Sequence, residues 1–360
     1  MGDNKSRIIY IDQLRTISII WLVLINVAFI FKCQNMTTLE EYVLFSSFAF
    51  GVPIFLMLLG ELMLDRDYSN LEFFFKNSFF RILVPFLLWN SIMAVLATSL
   101  NYSNFGLNIG TLITFASNFM TQHWYAWMLL GIYLSLPILS EFIRKWQLKG
   151  AEYYLILAII ASIIYQCLAY VNSPSYFNLT FFIGPLIYLF SGYYLENKKI
   201  NLDDNKLVIM GLILSVISTA IIIYDMIVIN HMTFTLLLHH YNFYTHSYLD
   251  VSVIVLVQAT GIFLVFKYIN KDVSGILLKI KNILHNKWIL DFTTSISRSC
   301  YGIYLTHQSI LMLLTLIFSL DQTNEMYGIP IISIVTLISS WLLMLLLKKV
   351  GIPTKYIGYD

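Results

Sequence analysis

Long apolar runs recur along this chain at Ile17–Phe31, Tyr42–Leu64, Ile82–Leu100, Trp124–Phe142, Tyr153–Val171, Thr180–Leu195, Leu207–Ile229, Leu249–Phe266, Ser299–Leu320 and Gly328–Leu347. Most have roughly the 17–25 residues that a helix needs to cross a bilayer. The pattern predicts an all-α integral membrane protein with about ten transmembrane helices. Connections are short, and neither an internal repeat nor a low-complexity tract appears, so residues 1–360 read as a single polytopic domain. The longest inner connection, Asn270 to about Ser297, has room for one amphipathic helix at the membrane surface. Its apolar side would carry Leu277, Ile280 and Leu284, set against Lys279, Lys281 and Lys287.

Charge then fixes an orientation. Lys5, Arg7 and Arg15 precede the first run, Arg66, Lys76 and Arg81 follow the second, and Arg144, Lys145 and Lys149 follow the fourth. Lys198, Lys199 and Lys206 follow the sixth, and Lys267, Lys271, Lys279, Lys281, Lys287 and Arg298 follow the eighth. Lys348, Lys349 and Lys355 close the chain, while the opposite set of connections holds only Lys32. By the positive-inside rule both termini are expected in the cytoplasm. A soluble core has no reason to sort cations by loop parity.

Candidate chemistry lies among polar groups that hydrocarbon disfavours. Arg15 stands at the cytoplasmic mouth of the first run, and Asn26 follows eleven residues later. At ~100° per residue that spacing returns to nearly the same face, roughly 16 Å deeper. Ser18 lies near the same stripe, which therefore faces protein or water. Interhelical glue at Asn26 and a topology anchor at Arg15 explain the stripe equally well. The ninth run opens after Arg298 and carries Tyr301, Tyr304 and His307. His307 sits about 13 Å in, at a depth similar to that of Asn26, so the two would meet if their helices pack together. A buried His is either a general base or a satisfied hydrogen-bonding group. Glu61 is expected to pair with Arg66 or Arg81.

Two outer segments are rich in rings. Asp225 and Asp250 flank a connection with His231, His239, His240, Tyr241, Tyr244 and His246, whose spacing fits no zinc pattern. Trp124, Tyr125 and Trp127, with His123 just before them, mark the outer end of the fourth run. Such rings stack on sugars, and they also form interfacial belts. The composition, 58% hydrophobic against 12% charged, fits a chain mostly in hydrocarbon. A net charge of +2 carries no nucleic-acid signal. Cys33, Cys167 and Cys300 are too scattered for a disulfide or zinc framework. The triplets at Asn35, Asn101 and Asn178 match a glycosylation pattern that arises often by chance. No phosphate loop, GxSxG, HExxH or dinucleotide fingerprint appears. A nucleotide-bearing substrate would rely on isolated cations at the inner mouth: Arg15, Arg81 and Arg298.

Several stretches resemble the membrane-bound acyltransferase-3 family in order and spacing. They are Ile11-Asp12-Gln13-Leu14-Arg15 before the first run, residues 52–60 (VPIFLMLLG), and Phe80-Arg81-Ile82-Leu83-Val84-Pro85. Trp124 followed by Tyr133-Leu134-Ser135-Leu136-Pro137, and Tyr301-Gly302-Ile303-Tyr304-Leu305-Thr306-His307, continue the series, which covers about residues 9 to 350. The resemblance implies transfer of an acyl group, usually acetyl from acetyl-CoA, to a hydroxyl of a cell-envelope polysaccharide or lipid-linked sugar. The family carries Arg where Arg15 stands and His where Asn26 stands. Asn cannot accept a proton at physiological pH, so Asn26 would line the site and His307 would act as base or orienter.

On that reading Arg15, Arg81 and Arg298 hold the CoA phosphates, and Trp124 and Tyr304 contact the acceptor. Neither a metal nor a bound cofactor is expected; acetyl-CoA or another acyl-CoA is a donor substrate. Expected partners are that donor, a lipid-linked or surface glycan, membrane lipid and a second copy of the chain as a homodimer. The expected location is a bacterial cell membrane, crossed many times. Two readings stand beside it: an inactive relative serving as glycan exporter or partner of a polysaccharide synthase, and a secondary transporter using Asn26, Glu61 and His307 as a proton path.

Overall fold

The computed structural model describes residues 8–31, 47, 49–100, 109–170, 184–228, 253–317 and 325–359, and every regular element among them is helical. In chain order these are α1 (Ile9–Phe31), α2 (Gly51–Met63), α3 (Leu71–Phe74), α4 (Phe80–Leu100), α5 (Ile109–Gln122), α6 (Trp124–Tyr170) and α7 (Leu186–Asn197). They continue as α8 (Asp204–Val228), α9 (Val253–Ile269), α10 (Gly275–Leu284), α11 (Lys287–Ile317), α12 (Glu325–Lys349) and α13 (Thr354–Ile357). A π-helical turn, Phe75–Phe79, joins α3 to α4. The ring-rich outer connection through His231, His239, His240, Tyr241, Tyr244, His246 and Asp250 lies outside the described residues. So do Lys32, Cys33 and the triplet asparagines Asn35, Asn101 and Asn178.

Among the described residues, five stretches are long and apolar enough to cross a membrane: Ile9–Ala28, Leu71–Ser99, Tyr125–Ile164, Asp204–Tyr224 and Tyr327–Lys349. Gly51–Met63 and Val253–Ile269 are shorter apolar helices. The third stretch has 40 residues. Straight, it would measure about 60 Å, twice the ~30 Å hydrocarbon core. It is not straight, because Gln147 takes φ 49° and ψ −136° and interrupts the helical geometry. The break falls between Arg144-Lys145 and Lys149, where the charge pattern requires a connection. Each resulting half, 124–146 and 148–170, is of crossing length. The helix expected from Ser299 instead begins at Lys287, because Ile289, Phe292 and Ile296 carry the apolar spacing back through the basic segment.

The outer faces are apolar where a soluble protein would be polar. Along α8, Ile209, Ile213, Val216, Ile217 and Tyr224 are exposed at helical spacing. Ile331, Ile334, Ile338 and Leu342 do the same along α12. Such stripes need hydrocarbon as their solvent. Hydroxyls within helices donate to carbonyls four residues earlier, as at Thr98 (2.7 Å to Ala94), Ser191 (2.7 Å to Ile187) and Thr306 (2.8 Å to Gly302). These bonds satisfy side chains that lipid cannot.

The chain falls into two compact units. Unit one takes in residues 1–25, 34–66 and 138–297; unit two takes in 26–33, 67–137 and 298–360. In unit one, α2 and α7 meet backbone to backbone. A Cβ on Gly60 would run into the Leu189 carbonyl, and one on Gly192 into the Met57 carbonyl. Gly211 and Gly261 bring α8 and α9 together in the same way; a Cβ on either would lie 2.6 Å from the other's carbonyl oxygen. Close approach of small residues is how helices gain contact where lipid is as apolar as they are. In unit two, Met93 and Ala97 of α4 pack with Phe115 of α5 and Met312 of α11. The chain beyond α12 folds back, with Ile357 and Tyr359 buried and the Gly302 N–H donating to the Gly358 carbonyl at 2.9 Å.

Gly60→Ala is expected to destabilise the protein by about 1–3 kcal/mol, the usual cost of overpacking. Gly131→Ala, whose Cβ would meet nothing within 4 Å, should leave the melting temperature in detergent unchanged or slightly higher. Equal melting temperatures for both variants would show that the α2–α7 contact is looser than described.

Candidate functional site

The start of α1 is fastened within unit one by hydrogen bonds from four directions. The Tyr10 hydroxyl donates to Glu61 of α2 and lies 3.0 Å from Glu196 Oε2 of α7. Asp12 accepts from the Ser297 hydroxyl at 2.6 Å, and the Thr16 hydroxyl donates to the Thr293 carbonyl at 2.9 Å. Gln13 Oε1 accepts from Asn270 at 2.8 Å, and Asn270 Oδ1 bonds His285 Nε2 at 2.7 Å. Asp12, Gln13 and Thr16 are all buried. In the run Ile11-Asp12-Gln13-Leu14-Arg15, then, Asp12 and Gln13 are the members that bond to α11 and to the residue after α9.

Glu61 does not pair as its sequence neighbourhood suggests. Tyr10 is its hydrogen-bond partner, and the Arg66 Nε instead donates to the Leu62 carbonyl at 2.6 Å. Lys267, expected among the solvated cations, is 5% exposed in the last turn of α9. It forms an ion pair with Glu196 at 2.5 Å and donates to the Leu195 carbonyl at 2.7 Å. The reason is local: α7 ends at Asn197, so its last carbonyls have no helical donors. Lys267 supplies one.

Unit two holds a second buried polar cluster, built around α11. His307 is fully buried, and its Nδ1 lies 2.6 Å from the Tyr304 carbonyl oxygen. A carbonyl only accepts, so Nδ1 carries the proton and Nε2 keeps its lone pair. Among the described residues Nε2 has no hydrogen-bond partner. Tyr304 holds the surroundings together. Its hydroxyl oxygen accepts from the Ala126 N–H at 3.3 Å, and its ring meets Tyr125 at 5.3 Å and His123 at 5.6 Å, both edge-on. His123 is itself fully buried and packs edge-on against Phe86 of α4. Three residues before Tyr304, the Tyr301 hydroxyl donates to the Ile82 carbonyl at 2.9 Å, which ties α11 to the start of α4.

Six of the seven residues singled out from sequence, Asn26, Arg81, Trp124, Arg298, Tyr304 and His307, fall in unit two, and Arg15 falls in unit one. Arg81 and Arg298 are exposed and flank the Tyr301–Ile82 bond, one residue from Ile82 and one helical turn from Tyr301. Asn26 is half-buried in α1. Trp124 opens α6, and its side chain is outside what the structure describes. Sequence reasoning passed over His123 as part of an aromatic belt. The signal present was an imidazole directly before Trp124 at the start of a helix, which needs its neighbours to be read.

Burial, helped by the positive charge of Lys281, holds the His285 imidazole below its ordinary value. The folded chain thus favours neutral His285. Its contribution is complete above the ordinary value of about 6.5 and is lost as pH falls below it. Melting temperatures between about pH 8 and 5 should fall on the acid side in the unsubstituted chain and fall less in His285→Gln. Parallel curves would place that titration elsewhere.

The sequence model of the acyltransferase-3 family, described as an acyltransferase domain, matches residues 8–345. No curated protein and no solved structure matches the chain. That match takes in α1 through most of α12, and with them both polar clusters and the apolar outer faces. By that extent of agreement the chain belongs to the acyltransferase-3 family, as a multi-pass membrane acyltransferase.

Proposed function

We propose that the protein moves an acyl group, acetyl by preference, from acyl-CoA to a hydroxyl of a cell-envelope polysaccharide or lipid-linked sugar. The observation that carries this reading is the buried Nε2 of His307, which has no hydrogen-bond partner among the described residues while the Tyr304 carbonyl keeps the proton on Nδ1. Nε2 takes the proton of the acceptor hydroxyl as its oxygen attacks the thioester carbonyl. The tetrahedral intermediate collapses, the C–S bond breaks, and the CoA thiolate leaves and takes up the proton from the imidazolium. Asn26 has no basic lone pair of the needed strength, but its amide N–H donates to a carbonyl oxygen as negative charge develops there.

Arg81 and Arg298 are exposed beside the Tyr301–Ile82 bond, about 13 Å along α11 from His307. They suit the phosphates of CoA, whose flexible arm then reaches inward. Arg15 is assigned the same role, and Trp124 and Tyr304 the acceptor side. On this reading the ten crossings are assigned to α1, α2, α4, the two halves of α6, α7, α8, α9, α11 and α12. With the cations sorted by loop parity, both termini lie in the cytoplasm of a bacterial host.

His307→Gln is expected to lower transfer of labelled acetyl from acetyl-CoA into membrane glycans by about 10²–10⁴-fold, with the melting temperature retained. Arg81→Ala and Arg298→Ala should mainly raise KM for the donor, and more so at low salt. Full activity in His307→Gln would remove the base assignment. Activity only after Asn26→His would instead identify an inactive relative whose remaining site is intact. A green fluorescent protein fused at the C-terminus should fluoresce in intact cells; darkness with full-length expression would reverse the orientation.

A further inference from the structure

Helix α10 has no buried residue. Ile276, Ile280 and Ile283, at four- and three-residue spacing, form one outward stripe and are 76%, 40% and 62% exposed. At about 100° per residue the three span roughly 60° of arc, with the exposed Lys279 on one flank. Lys281 lies away from this stripe, half-buried, and donates to the Lys271 carbonyl at 2.6 Å. Trp288, one turn past the end of α10, is 85% exposed, and Lys287 beside it is exposed as well. From Gly275 to Leu290 the segment contains Lys279, Lys281, Lys287 and His285 and no acidic residue.

The segment's position is fixed by bonds to helix ends. Asn270, directly after α9, donates to Gln13 near the start of α1 at 2.8 Å. The Asp272 N–H donates to Asp204 at 3.1 Å and the Ser274 N–H to Asn205 at 3.0 Å, both at the start of α8. Helix α10 therefore sits at the level where α1 and α8 begin and α9 ends, which for crossing helices is the boundary between hydrocarbon and water. An apolar stripe exposed there, with Lys279 beside it and Lys287 just past its end, has the arrangement of a helix lying in the interface with its cations reaching toward headgroups. The half-buried Leu277 and Leu284 hold the other edge of the helix against the protein.

We propose that α10 and Trp288 form a docking surface for anionic phospholipid headgroups: Ile276, Ile280, Ile283 and Trp288 enter the acyl boundary, while Lys279 and Lys287 hold the phosphates. Charge complementarity selects this occupant. A zwitterionic surface would satisfy the isoleucines equally well but would leave the exposed Lys279 and Lys287 without a reason. Each lysine near an anionic surface is worth about a fivefold preference at low salt, and the effect fades within a Debye length. The proposal does not rest on acyl transfer.

The test uses the full chain in bilayers of three parts phosphatidylcholine to one part phosphatidylglycerol. Bromine is placed on the acyl chains of one lipid or the other, and quenching of Trp288 is taken as the difference from Trp288→Phe. Phosphatidylglycerol should quench at least fivefold more strongly per mole at about 0.1 M salt, and the preference should shrink toward unity at about 1 M. The double variant Lys279→Gln/Lys287→Gln should quench equally from both lipids. Equal quenching per mole in the unsubstituted chain at low salt would overturn the headgroup assignment. Absence of quenching from either lipid would overturn the docking itself and leave the face to water or to a second copy of the chain. The salt series decides the matter even if the double variant fails to fold.

Discussion

Hydrocarbon supplies no hydrogen bonds, so every polar side chain carried into it must find a partner inside the protein or be put to use. The first helix carries that constraint most heavily. Tyr10, Asp12, Gln13 and Thr16 each project from α1 and each meets a partner from a different part of unit one: Glu61 and Glu196, Ser297, Asn270, and the Thr293 carbonyl. Those bonds fix the rotation of α1 about its axis, and with it the faces on which Arg15 and Asn26 stand. Lys267 and Glu196 extend the same logic to the ends of α9 and α7, where an ion pair is combined with capping of orphan carbonyls. Shape then does what hydrogen bonds do not. Gly60, Gly192, Gly211 and Gly261 let backbones touch where no apolar driving force separates protein from lipid.

Unit two follows the same rule with several departures among its described residues. Its hydroxyls and ring nitrogens are largely accounted for by backbone carbonyls, as with Tyr301 to Ile82 and Trp127 to Met120. Trp89 Nε1 has no partner among the described residues, and neither does Nε2 of His307. A buried lone pair left unsatisfied costs about 1–3 kcal/mol, a cost borne where a group has another task. Its companion nitrogen is pinned by the Tyr304 carbonyl, so the tautomer is chosen before any substrate arrives. His123 and Tyr125, set edge-on around Tyr304, hold its ring in place.

Much of this was legible in the residue pattern, for reasons that can be named. Apolar runs of crossing length and the parity of cations are properties of single segments, and they gave the helical class and the connection at Gln147. His307 stood out because an imidazole inside an apolar run is costly wherever it ends up. The parts that escaped depend on contacts far apart in sequence. Lys267 looked like a loop cation because its partner, Glu196, belongs to another helix. Glu61 lies near Arg66 in the chain, yet the hydroxyl that reaches it comes from Tyr10. His123 gains meaning only when Tyr304 is placed against it, and Asp12 only when Ser297 is.

That separation in sequence bears on how the protein is made. Ser297, Thr293 and Asn270 follow their partners on α1 by 285, 277 and 257 residues. The ribosome therefore delivers the first helix to the membrane long before the groups that satisfy it exist. Until unit one is almost complete, Asp12, Gln13 and Thr16 must stay near the water interface or in the care of the insertion machinery. A nascent chain halted before residue 270 would present a polar first helix with none of these three partners and become a substrate for quality control. The late-synthesised segment thus supplies the hydrogen bonds that complete the beginning of the chain.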